Sequence, residues 1–189
     1  MRLPKLTSPV LLAVFILCAV WLALVVSAPF MVPSGTLLDL SGSVNVKDNT
    51  ALFHSLSPLP KAIYTIGDVE CHQIASRSFF LNGNEMPFCA RDLGLFLGLA
   101  AGFGLAAFYR YKLNPFLALA GLVPMGIDGG LQLVTSYESN NALRIITGVV
   151  AGVSLSILLA YYVFLIQADN KKKHQPATVK ESEGNPRQE

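Results

Sequence analysis

Four long apolar stretches constrain the fold of this chain more than any other feature of its sequence. They are residues 9–28, 93–109, 115–134 and 143–167. A helix needs about 20 apolar residues, within a range of about 17 to 25, to cross the hydrocarbon core of a bilayer. Because 52% of all residues are hydrophobic and only 14% are charged, the composition also argues against a water-soluble domain. The sequence predicts an all-α integral membrane bundle of four transmembrane helices.

The first stretch has a second interpretation as a cleaved signal peptide. Val26-Ser27-Ala28 follows a basic start and resembles a small-residue cleavage site. Signal-peptide cores hold about 7–15 apolar residues, however, and this stretch is longer. Pro29 directly after the site would also hinder cleavage. We therefore expect the stretch to be retained as a membrane helix.

Basic residues near the ends of the stretches predict the orientation of the chain, because Lys and Arg are enriched in cytoplasmic loops. With four spans, three basic clusters fall on one side. They are Arg2 with Lys5, Arg110 with Lys112, and Lys171, Lys172 and Lys173. We expect a multi-pass protein of the cell membrane with both termini in the cytoplasm. The clusters form no continuous stripe and the net charge is only +2, so the lipid bilayer is the predicted partner and nucleic acid is not.

The segments between the spans follow from this orientation. On the cytoplasmic side we predict an N-terminus, a short turn and a disordered tail, at residues 1–8, 110–114 and 168–189. Outside the cytoplasm we predict a long segment and a short loop, at residues 29–92 and 135–142. The long segment is expected to hold two short interfacial helices, at residues 51–56 and 61–81, and then a turn at Gly83.

The long outer segment concentrates side chains that can bind zinc. Thiolates, imidazoles and carboxylates are its usual ligands, and a catalytic site combines three protein ligands with one open position. Cys71, His72, Cys89 and Asp92 therefore form a candidate site for zinc or another divalent metal. Asp68 lies four residues before His72, so on one helix it would share a face with His72 and orient the imidazole.

The two thiols allow a different interpretation. Cys71 and Cys89 would both lie outside the cytoplasm, where disulfides form. Closing a loop of this size would stabilise the fold by about 3 kcal/mol in the chain-entropy model. A permanent bridge would remove both thiolates from any metal site and leave His72 and the carboxylates to carry an activity. The sequence leaves both interpretations open.

Two further carboxylates are candidate catalytic groups beside His72. Asp128 lies inside the third apolar stretch, where an ionisable residue is costly and indicates a function. Pro124 and the neighbouring glycines predict local unwinding there. Glu138 follows in the short outer loop.

Three arginines are predicted near the same side of the membrane. Arg77, Arg91 and Arg144 suit bidentate contacts to a phosphate-bearing substrate, and Gln73 and Asn141 could add hydrogen bonds. The alternative is that the arginines only form ion pairs. Their partners would then be Asp92, Asp128 and Glu138.

Glycines at intervals of four predict close helix packing in the second and fourth spans. They are Gly94, Gly98 and Gly102, and Gly148 and Gly152.

Several of these motifs together resemble an uncharacterised family of predicted archaeal and bacterial polytopic membrane proteins, a domain of unknown function. The resemblance covers about residues 64–152. It is carried by Cys71-His72-Gln73, Arg77-Ser78, Pro87, Cys89-Ala90-Arg91-Asp92, Gly94, Gly98, Ile127-Asp128-Gly129, Gln132, Ser139, Asn141, Arg144, Thr147 and Gly148. The family commonly has Thr where this chain has Leu93. The resemblance implies a membrane protein but no mechanism.

Two functions of different classes fit these patterns. The first is a metal-dependent enzyme that acts on a lipid or lipid-linked substrate in an outward-facing pocket. The second is a non-enzymatic binding, carrier or assembly protein stapled by a Cys71–Cys89 disulfide. A single short chain is a poor transporter, although a homo-oligomer could form a path past Asp128.

Overall fold

The computed structural model describes residues 6–40, 42–110 and 114–173. In this part of the chain, four helical segments are long and apolar enough to cross a membrane. They are Pro9–Met31, Ala90–Phe108, Pro115–Val134 and Asn141–Lys173. The all-α class and the four predicted spans are confirmed. The basic residues Arg2, Lys5 and Lys112 and the tail from residue 174 onward lie outside the described residues, and the orientation of the termini stays a prediction.

Seven α-helices and one β-hairpin make up the described chain. In order they are α1 Pro9–Ser27, α2 Thr50–Phe53, α3 Pro58–Glu70, β1 Ser78–Leu81, β2 Asn84–Cys89, α4 Ala90–Phe108, α5 Pro115–Ala120, α6 Val123–Val134 and α7 Asn141–Lys173. Single 3-10 turns follow α1 and precede β1, at Ala28–Met31 and Ala75–Arg77. We call residues 28–40 and 42–89 the cap layer, because they cover one end of the helix bundle.

The close pair of α4 and α7 forms the centre of the bundle. A Cβ atom on Gly94 would overlap the carbonyl oxygen of Ile145, and one on Gly98 would overlap that of Val149. The glycine spacing thus produces tight helix packing, as predicted. From Gly94 to Gly98 to Gly102, the contacted residue of α7 moves from Ile145 to Val149 to Ser156. The two helices are therefore parallel, and they begin side by side beneath the cap layer.

The third span is broken, but not where the sequence indicated. We expected unwinding around Pro124, whereas residues 123–134 are helical and the break falls at Gly121 and Leu122, between α5 and α6. Pro124 lies in the first turn of α6, where its missing N–H removes no helical hydrogen bond. At the break, a Cβ on Gly121 would overlap Ser154 Oγ of α7.

The cap layer differs most from the sequence prediction. The second interfacial helix was expected at residues 61–81, but α3 ends at Glu70 and the chain then enters the hairpin of β1 and β2. The predicted turn at Gly83 is confirmed. Asn82 and Gly83 have φ angles of 52° and 70°, the left-handed pair that a two-residue hairpin turn requires.

Buried polar side chains of β2 hold the cap layer together. Asn84 Oδ1 accepts hydrogen bonds from the backbone N–H groups of Thr36 and Leu37, at 2.9 and 3.0 Å. Glu85 Oε2 accepts one from Leu40 N at 2.9 Å, while Tyr64 OH donates to the Glu85 carbonyl at 2.7 Å. These bonds fix an otherwise irregular segment over an apolar core. The buried members of that core include Val25, Leu37, Leu40, Phe53, Ile63, Met86 and Phe88.

Replacing Gly98 by alanine tests the close helix pair. The added methyl group meets the α7 backbone, so we expect a loss of about 1–3 kcal/mol in unfolding free energy. Gly126→Ala is the matched control, because nothing lies within 4 Å of a Cβ at that helical position. Unfolding in detergent micelles measures both variants. Equal stability of the two would contradict the packing described here.

Candidate metal centre and arginine network

Three potential metal ligands converge where the cap layer meets the first turn of α4. Cys71, Cys89 and Asp92 each offer one ligand atom, and these atoms all lie within 4.8 Å of one another. Cys89 Sγ is 3.2 Å from Asp92 Oδ2. The three residues come from different elements: Cys71 directly follows α3, Cys89 ends β2, and Asp92 lies in the first turn of α4. The hairpin is what returns the chain from Cys71 to Cys89.

The donor set suits zinc. With Zn–S and Zn–O distances of about 2.3 and 2.0 Å, ligand atoms at two corners of a tetrahedron lie about 3.3–3.8 Å apart. The observed spacing needs only small side-chain shifts to reach that geometry. Two sulfurs and one carboxylate oxygen would leave a fourth position for water or substrate.

The two thiols differ in their acidity. A hydrogen bond from Cys71 lowers the pKa of Cys89, and the same bond, together with burial, raises the pKa of Cys71. The first proton is therefore lost from Cys89. This residue is the N-cap of α4, and the positive end of the helix dipole favours a thiolate there.

Both cysteines are free thiols in this structure. Their sulfur atoms lie within 4.8 Å of each other, whereas a disulfide bond is about 2.05 Å long. The predicted bridge therefore requires a further approach of the two sulfurs and stays a prediction.

His72 lies outside this group of ligands. Its side chain is exposed, while Cys71 and Gln73 on either side are buried. The proposed helical face shared by Asp68 and His72 is wrong, because α3 ends at Glu70. Asp68 is buried and accepts a 2.7 Å hydrogen bond from Asn49 Nδ2, so it holds a loop of the cap layer.

Gln73 supports the fold of the cap layer. It is 1% exposed and has a φ of 45°. Its Nε2 donates to the Pro87 carbonyl at 2.9 Å, and its Oε1 accepts from Asn49 Nδ2 at 3.3 Å. These bonds join the segment after α3 to β2, and with it Cys71 to Cys89.

Asp128 is engaged in a polar network across α4, α6 and the loop before α7. It forms an ion pair with Arg91, whose Nη2 also donates to Gln132 Oε1 at 2.9 Å. Ser139 Oγ donates to Asp128 Oδ2 at 3.2 Å, and Tyr137 OH donates to Oδ1 at 3.4 Å. The Asp128 side chain is 5% exposed. The ion pair with Arg91 and the two hydrogen bonds compensate for burying its negative charge.

A second ion-pair group lies at the start of α7. Glu138 Oε1 is 3.1 Å from Arg77 Nε and 3.7 Å from Arg144 Nη2. The Arg77 guanidinium beside Glu138 lowers the pKa of that carboxyl group. Asn141 Oδ1 accepts from Arg144 Nη1 at 3.2 Å, and its Nδ2 donates to the Ser78 carbonyl at 3.2 Å.

Ion pairing of the arginines with Asp128 and Glu138 is thus confirmed, while Asp92 lies beside Cys89 instead. Asn141, which accepts from Arg144, also donates to the Ser78 carbonyl, and Ser78 pairs with Cys89 across the hairpin. The structure therefore brings two groups into one region. They are the thiol group, which is Cys71, Cys89 and Asp92, and the arginine network, which is Arg77, Arg91 and Arg144 with their carboxylate partners. His72 is the candidate whose inclusion the described contacts do not support.

Sequence reasoning missed Tyr137 and Ser139 as hydrogen-bond donors to Asp128. It also missed Gln132, which accepts from Arg91 and donates to Ser139. Gln132 lies four residues after Asp128, which places both on one helical face, so this spacing was a usable signal. Tyr137 and Ser139 lie in an irregular loop, for which no periodicity predicts direction.

Comparison with known proteins assigns the chain to a family. The model of the family DUF2085, described as a predicted membrane protein, matches residues 71–158. An uncharacterised protein of Methanothermobacter thermautotrophicus is 37% identical over 99 residues, which cover 51% of this chain and 89% of the relative. The chain belongs to this family.

A second relative is matched over a smaller share of its own length. An uncharacterised protein of Methanocaldococcus jannaschii is 38% identical over 95 residues, which cover 48% of this chain and 61% of the relative. No solved structure matches the chain. The region that matches the DUF2085 model begins at Cys71 and therefore contains the three potential ligands and the arginine network, but not α1.

The Arg91–Asp128 pair can be measured by a double-mutant cycle. We expect Arg91→Met or Asp128→Leu alone to cost about 3–5 kcal/mol, because each leaves a buried charge unpaired. The double variant should lose less than the sum of the two, by about 1 kcal/mol or more. Unfolding in detergent measures the four proteins. Strict additivity would show that the two side chains do not interact energetically.

Proposed function

We propose that this membrane protein binds zinc, or another divalent metal, through Cys71, Cys89 and Asp92 on the outer side of the membrane. The convergence of three ligand atoms within 4.8 Å carries the proposal. It is supported by the burial of the Cys71 side chain, which is 6% exposed, because burial shields a metal–thiolate bond from water. We further propose that the protein is a metal-dependent enzyme acting on a lipid or lipid-linked substrate.

The open fourth position would supply the chemistry. A zinc ion with three protein ligands lowers the pKa of bound water to about 7 and polarises a substrate oxygen. Of the three proposed catalytic groups, Asp128 and Glu138 are held in ion pairs with arginines. His72 is exposed and has no hydrogen-bond partner among the described residues. His72 is therefore the proposed general base, because its imidazole is the only one of the three groups that no ion pair among the described residues holds.

Two neighbouring cavities support a lipid substrate. A cavity of about 250 Å³ between α1 and α4 is lined by Leu17, Cys18, Trp21, Phe96 and Leu99. A second cavity, of about 330 Å³, shares Trp21 and Phe96 with the first and extends to Glu70 and Asp92. An apolar groove thus leads from the membrane span to a proposed metal ligand. A lipid chain in this groove would place its polar end beside Asp92.

Metal analysis tests the zinc proposal. Purified wild-type protein should contain about one zinc ion per chain, while Cys89→Ser and Asp92→Asn should lose most of it. Cys18→Ser is the matched control, since this thiol lies inside α1 and outside the ligand group. Metal-free wild type, or variants with undiminished zinc, would refute the proposed site.

A second candidate is a non-enzymatic binding or assembly protein whose cap layer is stapled by a disulfide. The proximity of the Cys71 and Cys89 sulfurs favours it as well. Gln73 already joins the two segments through Pro87, so a bridge would reinforce an existing contact.

Thiol alkylation and mass spectrometry of the non-reduced protein separate the two candidates. If Cys71 and Cys89 bind zinc, removal of the metal by a chelator should make both thiols reactive toward the alkylating reagent, because each thiolate is then released. A bridged protein would instead resist alkylation until it is reduced. Complete bridging in protein taken directly from membranes would exclude thiolate coordination and support the assembly role.

A further inference from the structure

Arg144 is a buried charge whose donors are only partly used. Its side chain is 1% exposed, and only Nη1 donates a hydrogen bond, to Asn141. Its Nε and Nη2 atoms have no hydrogen-bond partner among the described residues, and neither has Arg91 Nε. Leaving charged donors buried and unsatisfied costs more than the bonds themselves would contribute. The arrangement therefore calls for an additional acceptor.

The nearby carboxylate does not fill this role. Glu138 uses a single oxygen, Oε1, for Arg77 Nε at 3.1 Å and Ser76 Oγ at 3.5 Å. The same oxygen is 3.7 Å from Arg144 Nη2, which is beyond hydrogen-bond distance. The Glu138 side chain is also 55% exposed and lies in the loop between α6 and α7. It can leave this position at little cost, because exposed ion pairs contribute little to stability.

The backbone adds positive potential at this place. The helices α4 and α7 are parallel, and both begin beneath the cap layer. Arg144 lies in the first turn of α7 and Arg91 in the first turn of α4. The positive ends of two long helices thus adjoin the unsatisfied guanidinium groups, which favours an anion. Within the described part of the chain, these three arginines form ion pairs with two carboxylates, Asp128 and Glu138.

We propose that Arg144, together with Arg77, binds a phosphate-type oxyanion that displaces the Glu138 carboxylate. A tetrahedral oxyanion offers several oxygens where Glu138 offers one, so it can accept from Arg144 and Arg77 at the same time. Glu138 then acts as an internal competitor that occupies the site in the absence of ligand. Oxyanion binding itself does not depend on the proposed function. Only the identification of this oxyanion as part of the enzyme's substrate rests on it.

Anion binding is measured by calorimetry on the full chain in detergent, with EDTA present so that no metal holds the ligand. The probes are inorganic phosphate and a water-soluble short-chain phosphatidate, at constant ionic strength. We expect saturable binding of at least one probe. Glu138→Gln should tighten it about three- to tenfold by removing the competitor. Arg144→Lys should weaken it about tenfold, because lysine keeps the charge but loses the planar donor fork.

Lys47→Gln is the control for non-specific attraction, since Lys47 is exposed in the cap layer, and it should leave the affinity unchanged. Binding of both probes supports a site for the free oxyanion, and binding of phosphatidate alone supports a lipid headgroup. If neither probe binds, the proposal is overturned. It is also overturned if the Glu138→Gln variant binds no tighter than wild type. If Arg144→Lys does not fold, the Glu138 variant still decides. Zinc content is measured separately, so failure of the metal site and failure of the anion site are distinguishable.

Discussion

The contact between α4 and α7 without intervening side chains is the constraint on which the rest of this structure depends. At Gly94 and Gly98 the backbone of one helix lies directly against that of the other. Such an approach gains dispersion energy in lipid, where helices have no hydrophobic force to drive their association. It also fixes the relative height of the two helices. The first turn of α4 therefore lies beside the first turn of α7, and their functional side chains share one region.

Burial of charge defines the second constraint. A carboxylate inside a membrane span is costly unless it is paired, and Arg91 reaches from α4 to Asp128 in α6. This pair, with Gln132 and Ser139, connects the broken third span to the central helices. The sequence singled out Asp128 because an acidic residue is rare in an apolar run. In the structure this residue joins α6 to α4 through Arg91 and to the loop before α7 through Ser139.

The fold of the cap layer brings Cys71 next to Cys89 and Asp92, although the two cysteines lie far apart in the sequence. Asn84 binds the segment after α1, and Gln73 binds the β2 backbone at Pro87. Gly67 permits this approach, because a Cβ there would overlap the Pro87 carbonyl oxygen. The result places Cys71 against Cys89 and Asp92. The thiol group and the arginine network then lie at the same end of the bundle, and Asp92 also lines a cavity beside Trp21 and Phe96.

The sequence by itself determined the four spans, the glycine packing and the chemistry available at one end of the bundle. Span length and hydropathy are local properties, and a glycine repeat shows its spacing directly. Only the tertiary structure decided that His72 is exposed, that Asp68 binds Asn49, and that the third span breaks before Pro124. It also decided which arginine pairs with which carboxylate. These outcomes depend on contacts between residues far apart in the chain, and on the hairpin that brings them together, for which local periodicity carries no signal.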